Sequence, residues 1–299
     1  MTDQRADRVI LLTGGTGQVG FELRRSLQGL GKVVAPAHGE LDLENPAQLR
    51  ECVRALRPAL IVNPAAYTAV DRAEGDVERA RRINAEAPRV LAEEAARIAA
   101  PFIHYSTDYV FDGKSERPYV EDDATAPLNT YGATKLEGEQ AVAAVGGAHL
   151  IFRTSWVYGT RGHNFLLTML KLAAERDTLR IVADQVGAPT WSSTIASLSA
   201  AIAAQALAAG DPKGWWASRS GVYHLTAAGA TSWAGFAEAI FADAQLAHVP
   251  AVTPISSAEY PTPAARPLNS RLNNEKLART FDLRAPDWRE ALRLCIAAR

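Results

Sequence analysis

A short apolar run that stops at glycines constrains this chain more than any other feature. Arg8-Val9-Ile10-Leu11-Leu12-Thr13 leads into Gly14-Gly15-Thr16-Gly17-Gln18-Val19-Gly20, and helical periodicity follows through Val19, Leu23 and Leu27. An unbroken apolar run reads as a strand buried on both faces. The spacing Gly14-x-x-Gly17-x-x-Gly20 lets the backbone turn tightly and come close to a pyrophosphate. The helix behind it offers free N–H groups and the positive end of its dipole. Alone, such a loop is a weak signal, because a plain strand-to-helix turn looks similar. Its position between a strand and an amphipathic helix makes it a dinucleotide holder, with Gly14, Gly17, Gln18, Val19 and Gly20 at the cofactor.

The same rhythm continues. Lys32–Ala35 reads as a strand, Ala47–Leu56 as a helix and Leu60–Asn63 as a strand. Arg79–Ala100 reads as a long helix kinked or broken at Pro88. Pro101–Ser106 is the next strand, Tyr131–Val145 a helix and His149–Arg153 a strand. Alternating strands and helices specify an α/β fold, a Rossmann-like doubly wound parallel sheet. After Trp156 the rhythm loosens, and the proline-rich, polar Val252–Asn269 marks a smaller C-terminal lobe. The expected division is a dinucleotide-binding domain over residues 1–155, with segments near 180–226 returning to it, and a second lobe formed mainly by 156–299.

Composition narrows the function classes. The 299 residues carry a net charge of −1, so there is no electrostatic case for nucleic acid or an anionic membrane. Cys52 and Cys295 form no metal or redox motif, which fits two reduced thiols in a cytoplasmic protein. Met1–Arg8 is polar and shows no signal-peptide core. Leu198–Gly210 is apolar but contains Gln205 and is short for a bilayer, so it reads as a buried helix.

Cofactor choice is read at the end of the second strand. A carboxylate there would bond the 2′-hydroxyl of NADH and repel the 2′-phosphate of NADPH. The strand ends Ala35-Pro36-Ala37-His38, without an acid, which tilts the expectation to NADPH with NADH still open. Asp42 and Leu43 are candidates to pin an adenine, one on the exocyclic amine and one on the ring face. Asp42 could equally cap a helix ahead of Pro46.

Tyr131 and Lys135 share a helix face one turn apart. An ammonium beside a phenol favours the phenolate, so Lys135 is expected to lower the Tyr131 pKa, and the helix N-terminus adds to this. Tyr131 can then give a proton to a carbonyl oxygen as hydride reaches the carbon, while Lys135 can bond the nicotinamide ribose. The bland alternative is a solvated lysine beside a packed tyrosine. A third group must hold the carbonyl oxygen. Ser106 and Thr107 stand where a strand ends, the edge at which ligands bind in such sheets, and Thr107 is the choice.

These residues match a family. The chain resembles the extended short-chain dehydrogenase/reductases, and within them the dTDP-4-dehydrorhamnose reductase branch. The resemblance rests on Asn63-Pro64-Ala65-Ala66-Tyr67-Thr68-Ala69-Val70-Asp71, Ser106–Gly113, Tyr131-Gly132-Ala133-Thr134-Lys135, Arg153–Tyr158, Asp184–Thr190 and Arg266–Ser270, besides the glycine loop. It implies reduction of the keto group of a dTDP-linked 4-keto-6-deoxy-L-hexose to dTDP-L-rhamnose. Thr107, Tyr131 and Lys135 would be catalytic, and Asp108 and Trp156 would contact the sugar nucleotide. Ala66, Tyr67 and Thr68 would line the cofactor. Asn164 and Arg266 are further candidates for the nucleotide or its pyrophosphate, with structural roles equally open for both.

Asp108 is followed by Tyr109, not by the glutamate a related dehydratase would need for elimination. Some relatives bridge a dimer with Mg²⁺. Glu22 stands where one such ligand would be, but Trp191-Ser192-Ser193-Thr194-Ile195 offers no acids. No metal site is expected, and the chain is expected to be a monomer or a homodimer joined otherwise. Two readings stay open beside the reductase: reduction of another keto-sugar nucleotide, and a non-catalytic NADP-binding regulatory subunit.

Overall fold

The computed structural model of the chain describes residues 8–299. The polar N-terminal stretch noted above lies outside the described residues, apart from Arg8. Five strands, β1 (Val9–Leu12), β2 (Lys32–Val34), β3 (Leu60–Asn63), β4 (Phe102–Thr107) and β5 (His149–Thr154), form a parallel sheet with the later strand Gly221–His224. Their order across the sheet is Gly221–His224, β5, β4, β3, β1, β2. The order reverses beside β1: the chain goes to β2 on one side and returns to β3 on the other. Ligands bind in the crevice that such a reversal opens at the C-terminal strand ends.

Alternate residues of each strand face opposite sides, and both sides are covered. Ile10, Leu12, Leu60 and Val62 pack with Leu23 of helix α1 (Gln18–Ser26) and with Ile195, Ala196 and Ala203 of the helix Ser192–Ala208. Leu11 and Ile61 pack on the other side with Leu49 and Val53 of α2 (Pro46–Leu56), Leu91 and Val142. Leu198–Gly210 therefore belongs to a core helix whose alanines allow close approach to α1. Among the described residues no helix is long and apolar enough to cross a membrane.

The long helix expected over 79–100 is divided, and its break comes earlier than Pro88. An α-turn at Val77–Arg81 passes into a π-helical turn at Arg82–Glu86, and α-helix resumes at Ala87–Arg97. A proline ring displaces the carbonyl four residues before it, here that of Asn84, so the disturbance appears one turn upstream.

The remaining residues build a second lobe of short pieces. Thr178–Val182 pairs in parallel with Ala251–Ile255, and Val186–Gly187 lies between Thr231–Ser232 and Asn269–Ser270. Tyr158, Leu166, Phe236, Phe241, Trp288 and Leu292 form its separate core. The helix Ser192–Ala208 packs on the main sheet, and Gly221–His224 joins it as an edge strand.

Candidate active site

The glycine loop forms one wall of a cleft of about 560 Å³ at the C-terminal strand ends. Gly14 has φ +57°, the left-handed region, and any Cβ there would meet Ala65 at 2.8 Å. A Cβ on Gly20 would lie 2.0 Å from the Gly14 carbonyl oxygen, so α1 can sit this tightly on the loop only without one. Gly17 caps α1 with no side-chain hydrogen bond, and the first turn carries no acid. Its N–H groups and dipole are thus left for an anion.

Nine of the expected cofactor residues line this cleft: Gly14, Gly17, Gln18, Val19, Gly20, Asp42, Leu43, Ala66 and Thr68. Tyr131 and Lys135 line it too. Asp42 does not cap α2. Asn45 does, accepting from the N–H groups of Ala47 and Gln48. Tyr67 lines an adjoining depression that shares Ala66 and Thr68 with the cleft, its hydroxyl 3.2 Å from Asp76 Oδ2.

What holds Tyr67 is Asn84, a buried residue that sequence reading missed. Its Oδ1 accepts from the Tyr67 N–H at 2.8 Å, and its Nδ2 donates to the Tyr67 carbonyl and to Thr134 Oγ1. One amide thereby ties the cofactor-lining loop to the helix Thr130–Val145 that carries Tyr131 and Lys135. Its place four residues before Pro88 was the available signal.

Two hydroxyls outside the chosen set face the cleft: Ser106, the passed-over alternative to Thr107, and Thr154, which sequence reading missed. Ser106 Oγ and Thr154 Oγ1 are buried without a protein partner, and both residues line the cleft wall. Orphaned buried hydroxyls need a ligand or water to satisfy them. A dinucleotide with ribose hydroxyls and an amide fits this cleft: an anion-ready helix end on one side and unpaired hydroxyls on the other.

At the reacting end, Asn129 caps the helix by accepting from Gly132 N–H. The Thr107 hydroxyl lies beside the Tyr131 phenol while donating to Asp108 Oδ1 at 3.0 Å. Burial raises the Tyr131 phenol to about 12, the Thr107 hydroxyl lowers it in part, and the Asp108 charge adds to the rise. The expected depression by Lys135 is absent, because the ammonium is turned elsewhere. Lys135 Nζ donates to the Tyr105 carbonyl at 2.6 Å and lies 3.3 Å from His104 Nε2. With the side chain 2% exposed, burial lowers Lys135 to about 8, against the opposing pull of Glu139.

Asp108 accepts from Thr107 Oγ1 at 3.0 Å and lies beside Ser270, and its Oδ2 has no partner. Burial raises this carboxyl to about 6. An orphaned carboxylate oxygen next to Thr107 and Tyr131 is suited to a substrate hydroxyl.

The remaining three candidates do not line the dinucleotide cleft. Trp156 adopts φ +47° and stacks on Trp233, the rings 3.5 Å apart and 7° from parallel. Trp233 Nε1 donates to Gln185 Oε1, whose amide Nε2 donates to Ser257. Asn164 caps the helix Phe165–Ala173, and its Nδ2 donates to Gln18 Oε1 and the carbonyls of Gly159 and Arg161. A nucleotide would have to compete with these bonds. Arg266 is bidentate to Asp71 and also donates to the Ala264 carbonyl. A diphosphate would have to compete with Asp71. Among the described residues no three His, Cys, Asp or Glu side chains gather as a metal site, and Glu22 lies beside Arg25.

Comparison with known proteins gives a consistent result. The sequence profile described as the RmlD substrate binding domain matches residues 8–299. A dTDP-4-dehydrorhamnose reductase of Burkholderia thailandensis is 52% identical, over 96% of this chain and 97% of that protein. One from Escherichia coli is 47% identical, over 93% and 94%. The crystal structure of dTDP-4-dehydrorhamnose reductase from Bacillus anthracis in complex with NADP superposes with a TM-score of 0.88. That protein is 34% identical, with 98% of this chain and all of that chain covered.

Proposed function

The chain belongs to the RmlD substrate binding domain family, and from that premise we propose that it is an NADPH-dependent reductase of dTDP-4-dehydrorhamnose, forming dTDP-L-rhamnose. The observation that carries this reading is that Tyr131 and Lys135 line the same cleft as the glycine loop, with the Thr107 hydroxyl beside the Tyr131 phenol. Residues 8–155 with Ser192–His224 form the dinucleotide-binding unit, and the rest of 156–299 holds the sugar nucleotide.

NADPH, when bound, supplies a hydride to the keto carbon. Gly14, Gly17, Gln18, Val19 and Gly20 would hold its diphosphate, Asp42 and Leu43 its adenine, and Ala66 and Thr68 the middle of the molecule. Lys135 is near enough to the Tyr131 side of the cleft to bond a ribose. Thr107 and Tyr131 grip the keto oxygen between two hydroxyls, and Tyr131 releases its phenolic proton to that oxygen. A phenol at about 12 stays protonated at neutral pH, the state a proton donor for reduction requires. Asp108 Oδ2 accepts from a sugar hydroxyl, and the Trp156 face supports the sugar ring. The paired Trp156 and Trp233 rings are the observation that favours a pyranose there.

The reading is tested by NADPH oxidation with dTDP-4-dehydrorhamnose, beside NADH and a panel of other keto-sugar nucleotides. Turnover with the dTDP sugar is expected. Tight NADP binding with no turnover of any sugar would replace the enzyme with a binding subunit, and preference for another sugar would reassign the substrate.

A further inference from the structure

A line of buried polar side chains runs beneath the cleft from the strand that precedes the glycine loop to the lysine. Thr13 Oγ1 and Asn63 Oδ1 are 2.5 Å apart, Asn63 Nδ2 and His104 Nδ1 are 3.1 Å apart, and His104 Nε2 is 3.3 Å from Lys135 Nζ. All four residues are at most 2% exposed. They come from the ends of β1 and β3, the middle of β4 and the Thr130–Val145 helix.

Hydrogen placement along this line is a puzzle with one good solution. With the Asn63 nitrogen toward His104, Nδ1 must accept, so a neutral ring carries its hydrogen on Nε2. That N–H would point at an ammonium, donor against donor. The opposite amide orientation puts Oδ1 toward a protonated Nδ1 and leaves Nε2 bare to accept from Lys135. Amide oxygen and nitrogen are told apart only by such networks. The short Thr13 contact favours oxygen on the Thr13 side. The 2.6 Å bond from Lys135 to the Tyr105 carbonyl has the length of a charge-assisted bond and favours an ammonium. A hydrogen bond to a charge is worth about 1.5–3 kcal/mol against about 0.5–1.5 for a neutral one, so the charged end decides.

We infer that His104 is a positioning residue for the reaction: held as the Nδ1–H tautomer by Asn63, it accepts from the Lys135 ammonium through Nε2 and keeps that charge under the cofactor cleft. His104 stays neutral because it is wholly buried beside a cation. The groups that face it are Asn63 from β3, Lys135 from the helix and the stacked Phe102 ring of its own strand. Lys135 has one further charged neighbour, Glu139, which is itself paired with Arg153. Thr13 closes the line with its hydroxyl as acceptor, which frees its hydrogen for the cleft that it lines.

Two measurements test this. In the unliganded protein, ¹⁵N spectra should show the His104 ring as the Nδ1–H tautomer, assigned by its loss in His104→Gln. The Nε2–H tautomer would overturn the assignment, and this arm does not depend on any substrate. The second arm is kinetic and rests on the reductase reading. His104→Leu removes the acceptor, which should shift the alkaline limb of kcat down by about one pH unit with little change in KM. His104→Gln places an amide oxygen near the old Nε2 and should restore the limb. Equal losses in both variants with an unmoved limb would reduce His104 to packing. If the leucine variant does not fold, the spectrum of the wild-type protein decides alone. Absence of reductase activity in the wild type would strike the proposed function and leave the tautomer result standing.

Discussion

Arg153 and Glu139 meet almost entirely out of water, Nη2 2.7 Å from Oε2, with side chains 5% and 4% exposed. The guanidinium is fork-to-fork on the carboxylate, because Nε also donates to Oε1 at 2.9 Å. The pair joins the end of β5 to the helix turn just beyond Lys135. Breaking a buried pair from one side leaves a bare charge and costs about 3–5 kcal/mol. Glu139→Gln should therefore lose stability on that scale in urea denaturation. It should also lower the Lys135 pKa, since Glu139 is what opposes the lowering by burial. A variant as stable as the parent would show that Arg153 finds water.

Tyr131→Phe removes the proton donor but keeps the ring. Turnover should fall by about 10²–10⁴-fold, the usual worth of a positioned acid. NADPH affinity, read by fluorescence, should hold within a few fold. Normal turnover would take the proton role away from Tyr131.

The pH profile should be bell-shaped. Asp108 titrates at about 6 and must be ionised to accept from the sugar, so activity should rise through that pH. Lys135 titrates at about 8 and must stay charged, so activity should fall above it. The stability signs are opposite to those of an ordinary ion pair. Asp108 is raised in the fold, so its burial costs stability above pH 6, and that cost fades as pH falls from 6 to about 4. Asp108→Asn should abolish the acid limb in kcat/KM. Survival of that limb would assign it to another group.

Asn84→Leu removes three hydrogen bonds from a wholly buried site. It leaves the Tyr67 N–H and carbonyl unpaired, a penalty of about 1–3 kcal/mol for each buried group. KM for NADPH should rise along with the stability loss, because the Ala66–Thr68 loop loses its anchor. A loss of stability with cofactor KM unchanged would limit Asn84 to the fold.

Strands were legible from sequence because parallel strands buried on both faces read as unbroken apolar runs, as Leu60–Asn63 does. The glycine loop was legible because its backbone demands leave few alternatives to glycine. Asn84 was not, since an asparagine among Arg82, Ile83, Ala85 and Glu86 looks like a solvated helix face. The direction of Lys135 was missed for a related reason. An i, i+4 spacing puts two residues on one face, but whether their ends meet depends on what else, here Tyr105 and His104, competes for the ammonium. In the second lobe, two-residue strands such as Val186–Gly187 are too short to show any period.

Trp156 holds a left-handed backbone that a bulky residue seldom adopts, costing about 1–3 kcal/mol. Trp233 and the Gln185 bond behind it keep the ring in place. Trp233→Leu should raise KM for the sugar nucleotide several-fold while KM for NADPH stays put. An unchanged sugar KM would remove Trp156 from the substrate site.

The segment Ala264–Ser270 is stitched to the loop that bears the reacting groups: Ala265 receives the Asn129 amide, Asn269 donates to the Ser115 and Arg117 carbonyls, and Ser270 lies beside Asp108. During synthesis the ribosome delivers the glycine loop first and this clasp some 250 residues later. A growing chain can thus gain a place for the dinucleotide well before Asp108 and Thr107 are fixed. The reacting end of the site therefore depends on a segment far along the chain from the loop that would hold the dinucleotide.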